Sequence, residues 1–122
     1  MTSERISFKE MCAKFDVTPR TLRYYEYIEL LSPEKEGRSR FYAGREVARM
    51  TLILRGRDWG FSLEEIRQWL LIYENQGTEP QNRAFLELAD RQLETLSEQR
   101  EKLDATISEL NQMRESVLKS LG

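Results

Sequence analysis

Arg20, Arg23, Tyr24 and Tyr27 crowd into the stretch VTPRTLRYYEYIELL, residues 17–31. Guanidinium groups and phenols are costly to bury without partners. On an open helix face, by contrast, a guanidinium can fork onto phosphate oxygens or onto the O6 and N7 edge of guanine. The chemistry such a face offers is recognition of nucleic acid. It requires a short helix held rigidly from behind. Thr18 is a strong N-cap, and Pro19 suits the first helical position because its missing N–H would be unpaired there in any case. Val17 and Leu22 stand where a hydrophobic staple fixes the entry of the helix. Leu22, Tyr25 and Ile28 can then turn inward, which leaves Arg20, Arg23, Tyr24 and Tyr27 outside.

The flanking elements predict what holds that helix. Ser7 and Glu10 have the spacing of a capping box, and Phe8, Met11, Cys12 and Phe15 follow as one apolar stripe of a short helix. Two short helices joined by Asp16 and Val17 form a helix-turn-helix. After Pro33, Gly37 can turn a small hairpin whose return strand is Ser39, Arg40, Phe41 and Tyr42, a wing beside the helix pair. A third helix is expected over about residues 45–58. Phe61-Ser62-Leu63-Glu64-Glu65-Ile66 repeats the staple and capping box and starts a fourth, reaching about Tyr73. The head is therefore assigned to residues 5–74, with a polar linker at 75–80.

Residues 81–121 read as one long helix. Counted from Leu86, the a positions are Leu86, Leu93, Arg100, Ile107, Arg114 and Leu121, and the d positions are Ala89, Leu96, Leu103, Leu110 and Val117. Nine of these eleven are apolar, which is the pattern of a coiled-coil seam. A small head cannot bury a helix of this length, so Leu86, Leu93, Leu96, Leu103, Ile107, Leu110 and Val117 are assigned to dimerisation. The e and g positions lack the opposite charges of a parallel zipper. Arginine at two a positions would also face its own copy in a parallel pair, so the antiparallel arrangement is expected.

Charge divides along the same boundary. Residues 1–60 carry 12 Lys+Arg and 9 Asp+Glu, net +3, whereas residues 61–122 carry 7 and 12, net −5. A basic head on an acidic stalk is the asymmetry of a DNA-reading chain. With one cysteine and no histidine in 122 residues, an internal disulfide, a Cys/His metal cage and a Cys–His or Ser–His–Asp catalytic site are all excluded. No enzyme activity, metal or cofactor is expected. The first ten residues lack an apolar leader and no apolar run is long enough to span a bilayer, so a cytoplasmic location is expected.

Thr21-Leu22-Arg23-Tyr24-Tyr25-Glu26, then Leu30-Leu31-Ser32-Pro33, then Arg40-Phe41-Tyr42 and the Leu52-Ile53 region together resemble the MerR family of bacterial transcription regulators. The likeness covers about residues 6–118. Residues 53–57 with Trp59 to Ile66 are similar to a branch that regulates branched-chain amino acid and acyl-CoA breakdown. The resemblance implies a mainly α protein, with a winged helix-turn-helix head, two further helices, and a long C-terminal helix paired in an antiparallel coiled coil. It implies a homodimer on a palindromic promoter element that bends and untwists the spacer so that RNA polymerase engages it. Arg23, Tyr24 and Tyr25 match the family's DNA-contacting motif, Arg40 and Tyr42 its wing, and Arg57 a phosphate-contacting residue of a second wing. Arg20 and Thr21 occupy the first turn, where base edges are usually reached.

Four departures stand out. Glu29 replaces the glycine that usually ends the recognition helix, the wing is short, and Ala43 stands where a capping residue would help. The sensor cysteines and appended drug-binding domain of other members have no counterpart, so the residues name no effector. The competing reading is a coiled-coil adaptor that grips a protein partner and has an incidental basic face.

Overall fold

The structure, a computed structural model, describes residues 4–122; the first three, part of the stretch read above for a leader, lie outside it. The chain divides into two compact units, Met1–Gln81 and Asn82–Gly122.

The first unit opens with β1 (Arg5–Ser7), followed by α1 (Phe8–Phe15) and α2 (Pro19–Tyr27). Ser7 caps α1: its hydroxyl accepts the Glu10 amide at 3.1 Å, and Glu10 accepts the Ser7 amide at 2.9 Å. Thr18 caps α2 by accepting the Thr21 amide at 3.1 Å, with Pro19 in the first turn. The wing is β2 (Glu34–Glu36) and β3 (Ser39–Ala43), turned at Gly37, whose φ is +59°. The sheet has three strands in the order β1-β3-β2, both pairings antiparallel. β1 was not foreseen, because three residues carry too short an alternation to read. Its Ile6 lies opposite Tyr42 in the ladder, so β1 braces the wing.

α3 (Gly44–Asp58) and α4 (Leu63–Gln76) complete this unit. α3 starts at Ala43 without a side-chain cap. Ser62 and Glu65 bond reciprocally at the start of α4, at 3.1 and 2.9 Å. Met11, Leu22, Tyr25, Leu30, Leu31, Tyr42, Met50, Ile53, Ile66 and Leu70 form one buried core, to which α1, α2, β3, α3 and α4 all contribute. The loop after α2 is fastened to α3 by buried Glu46, which accepts the Ser32 amide at 2.7 Å, and by Arg49, which donates to the Leu30 carbonyl at 3.2 Å. Arg45 and Arg49 both reach Glu74, tying the end of α4 to α3.

The expected linker at 75–80 needs correction. α4 continues to Gln76 and α5 (Thr78–Leu121) begins two residues later, leaving Gly77 as the break. Its φ of +92° is a conformation that glycine adopts without strain and that a helix cannot continue through. The polar residues around it are helical because polarity alone does not break a helix.

The second unit is the body of α5. Leu86, Leu93, Leu96, Leu103, Ile107, Leu110 and Val117 are all exposed there, with Leu103 at 61%.

Candidate nucleic-acid interface

α2 presents two faces. Leu22 and Tyr25 are buried, at 0% and 1%, while Tyr24 and Tyr27 stand 49% and 83% exposed, and Arg20 and Arg23 are exposed with them. Thr21 is half-buried at the foot of the helix, its hydroxyl accepting from that of Thr18 at 3.0 Å. The outer face is thus continuous from Arg20 through Arg23 and Tyr24 to Tyr27.

Tyr25 and Tyr42, which the family likeness assigned to DNA contact, lie in the core, Tyr25 on the inner face that its helical phase predicts. A ring at 1% or 0% exposure has no surface to offer a ligand. Each hydroxyl emerges only far enough to hold a neighbour. The Tyr25 hydroxyl accepts from Arg57 at 2.9 Å, which places that exposed guanidinium at the end of α3. The Tyr42 hydroxyl donates to the Glu26 carboxylate. Burial, reinforced by that carboxylate, pushes the Tyr42 phenol well above its ordinary pKa, so it remains a donor. The apolar side of α2 and the inward pleat of β3 both demand large core residues at these positions, and tyrosine fills them while keeping one polar atom at the rim.

Glu26 is a link between elements that was not singled out from the sequence. Its side chain is only 12% exposed, and it takes Tyr42 on one oxygen and pairs with Arg40 at 3.4 Å on the other. It therefore joins α2 to the wing. The available signal was a lone acid in a basic run, on the same helical side as Leu22. Arg23 lies over the Phe8 ring at 5.5 Å, and Arg40 lies over the same ring at 5.7 Å. Phe8 in turn stacks at a tilt on Tyr42, 6.5 Å between centroids. One aromatic ring thus supports two guanidinium groups from two elements.

Beside this ring lies a shallow concavity of about 320 Å³, bounded by the start of α1 at Ser7, Phe8 and Lys9, by Arg23, and by residues 38–41 of the wing. Four cationic side chains line it and no acid does. On the far side of the wing, Arg5 pairs with Glu34 at 3.2 Å and Glu36 at 2.7 Å and covers Phe41 at 4.1 Å. The acidic strand β2 is thereby compensated from β1. Of the eight residues predicted to contact DNA, Arg20, Arg23, Tyr24 and Arg57 are exposed, Thr21 and Arg40 are half-buried, and Tyr25 and Tyr42 lie beneath.

Two family models match, one described as "MerR HTH family regulatory protein" over residues 6–71 and the other as "MerR, DNA binding" over residues 47–113. The chain belongs to the MerR family. It is a DNA-binding transcriptional regulator. It is 36% identical over 99 residues to the HTH-type transcriptional regulator HmrR of Rhizobium leguminosarum bv. viciae, an overlap covering 80% of this chain and 70% of that protein. Among solved structures it is similar to a MerR-family transcriptional regulator from Bacillus cereus, with a TM-score of 0.75 and 30% identity over 93% of this chain and 82% of the other. Its fold is shared with HiNmlR, described as a MerR family regulator lacking the sensor domain, bound to promoter DNA. There the TM-score is 0.62 at 17% identity, over 83% of this chain and 80% of that one. These relatives carry no support for the narrower likeness to regulators of branched-chain amino acid and acyl-CoA breakdown.

Proposed function

We propose that this regulator acts as a homodimer on a palindromic promoter element, with α2 in the major groove and the wing against the backbone. The observation that carries the dimer is the seam of α5. Seven large apolar side chains at heptad spacing are exposed to solvent in the single chain, and such a row needs a partner helix. The seam lacks cross-pairing charges and holds Arg100 and Arg114 at a positions, which favours an antiparallel partner. Residues 5–74 serve as the reading head and the body of α5 as the dimerisation element.

Within the head, Arg20 and Thr21 are the residues for base edges, because they lie in the first turn of the recognition helix. Arg23, Tyr24, Arg40 and Arg57 serve the phosphate backbone, and Tyr25 and Tyr42 act from beneath by positioning Arg57 and Glu26. A dimer that grips two half-sites can bend and untwist the spacer between them, altering its fit to RNA polymerase through the deformation energy of the duplex. Promoter DNA in the structure of the similarly folded HiNmlR supports this reading. The same reading places the protein in the cytoplasm and gives it no catalytic role; no described helix is long and apolar enough to cross a membrane.

The test combines sedimentation with footprinting on an operator obtained by selection from random duplexes. A dimer protecting two symmetric half-sites, with enhanced cleavage of the spacer between them, is the expected result. A monomer protecting one half-site would refute the dimer. Absence of any protected duplex, with a protein partner captured through α5 instead, would favour an adaptor.

A further inference from the structure

The concavity between α1, α2 and the wing makes use of residues that the family likeness did not assign. Its four cations come from three elements: Lys9 from the first turn of α1, Arg23 from α2, and Arg38 and Arg40 from the wing. The acids nearby already have partners. Glu10 accepts the Ser7 amide, Glu26 holds Tyr42 and Arg40, and Glu34 and Glu36 hold Arg5. The side chains of Lys9 and Arg38, by contrast, make no ion pair or hydrogen bond with any described residue. Among the described residues the Arg23 guanidinium has the Phe8 ring, which it shares with Arg40. Collecting like charges in this way opposes folding, since each raises the potential felt by the others. An anion placed among them removes that opposition.

We propose that this concavity is a seat for one phosphodiester group of duplex DNA, with Lys9 and Arg38 as its additional contacts beside Arg23 and Arg40. The inference rests on the DNA-binding reading above and adds the place where the backbone strand crosses between recognition helix and wing. The volume of about 320 Å³ is enough for a partly hydrated phosphate and its sugar oxygens. The start of α1 adds the positive end of its dipole to the same spot. Ser7 and Ser39 supply hydroxyl-bearing walls. The Phe8 ring fixes the directions of the two arginines without consuming their N–H groups. A seat of this kind sets the register of the head on the duplex and carries no sequence preference.

The experiment measures binding of the full chain to a random-sequence duplex of about three helical turns over a salt series. It uses wild type, Lys9→Ala, Arg38→Ala, Arg38→Lys and, as a control for net charge, Lys102→Ala on the body of α5. Lys9→Ala and Arg38→Ala should each weaken binding about three- to tenfold. Arg38→Ala should flatten the slope of log K against log salt by about 0.9 per head, the value for one released counterion. Arg38→Lys should keep most of the slope, Lys102→Ala all of it, and every variant should melt like wild type. A parallel titration with inorganic phosphate, followed by the amide signals of Lys9 and Ser39, should show no saturation in the low millimolar range. If Lys9→Ala and Arg38→Ala keep the full slope while Arg23→Ala loses it, the seat is refuted and the DNA-binding reading survives. If inorganic phosphate saturates the site tightly and Arg38→Ala abolishes this, the site belongs to a free anion and not to DNA. If wild type binds no duplex even at low salt, both the seat and the function it rests on are refuted.

Discussion

At the scale of single residues, the division between touching and positioning decides which substitutions matter for what. Arg20 is exposed at the start of α2. Arg20→Ala should cost roughly 1–3 kcal/mol of affinity and relax preference at one symmetric pair of operator positions. Tyr42 is fully buried with its hydroxyl on Glu26. Tyr42→Phe should therefore cost stability first, on the order of 1–3 kcal/mol because the acceptor is charged, with base preference unchanged. Denaturant melts beside binding titrations separate the two; full loss of affinity at unchanged stability would restore Tyr42 as a direct contact. Sequence reading found the exposed arginines because charge and helical phase coincide. Helical phase also put Tyr25 on the inner face with Leu22 and Tyr24 on the outer one, as their exposures of 1% and 49% agree; it was the family likeness, which groups both phenols in one motif, that named Tyr25 as a contact. Glu26 was overlooked because its partners Tyr42 and Arg40 lie sixteen and fourteen residues on, and the approach of the wing alone makes them neighbours.

At the scale of elements, the four helices of the head end in the same way. Asp16, Glu29, Gly60 and Gly77 adopt positive φ of 52°, 65°, 91° and 92° after α1, α2, α3 and α4. After α2 the Leu30 amide reaches the Tyr25 carbonyl at 2.9 Å and the Glu29 amide reaches that of Glu26 at 3.1 Å, a Schellman closure with Leu30 packed inside. Glu29 thus holds the geometry that glycine would adopt more freely, at a conformational cost of about 1 kcal/mol. Glu29→Gly should raise stability by up to about 1 kcal/mol while leaving DNA binding intact; a loss of stability would mean that the carboxylate is needed. The capping boxes of α1 and α4 were legible because Ser-x-x-Glu carries its mechanism in its spacing. β1 and the short break at Gly77 were not, since one depends on a strand distant in sequence, Arg5 pairing with Ala43 and Ser7 with Phe41, and the other on a single dihedral. A pH dependence belongs to the same scale. The Ser7 amide and hydroxyl hold the Glu10 carboxyl below its ordinary pKa. Its contribution to stability is present above the unfolded value of about 4.5 and fades as pH falls through the lower folded value. Glu10→Gln should remove that part of the acid sensitivity; an unchanged acid melt would show that the box does not form.

At the scale of the whole molecule, the heptad residues of α5 form an apolar row exposed in the single chain, and the proposed dimer covers it. Leu103→Asp should place an unpaired carboxylate in the seam and shift the protein to monomer, and sedimentation at several concentrations checks this. Cys12 lies half-buried in the head, and burial raises its thiol pKa, which disfavours the reactive thiolate. Cys12→Ser should leave DNA binding within a small factor, and zinc or thiol oxidants should not alter it; loss of regulation at unchanged stability would make the cysteine a sensor. The central claim is that the face built on α2 and the wing reads duplex DNA, and one set of titrations tests it most directly. Wild type, Arg20→Ala and Arg57→Ala are titrated with operator variants at several salt concentrations. The predicted result is a split: Arg20→Ala loses discrimination at one symmetric position, whereas Arg57→Ala weakens every sequence alike and flattens the salt slope by about one unit per head. Uniform loss from Arg20→Ala would move base reading to Thr21 or Tyr24. No loss from Arg20→Ala or Arg57→Ala, nor from Arg23→Ala or Tyr24→Ala, would contradict the claim itself.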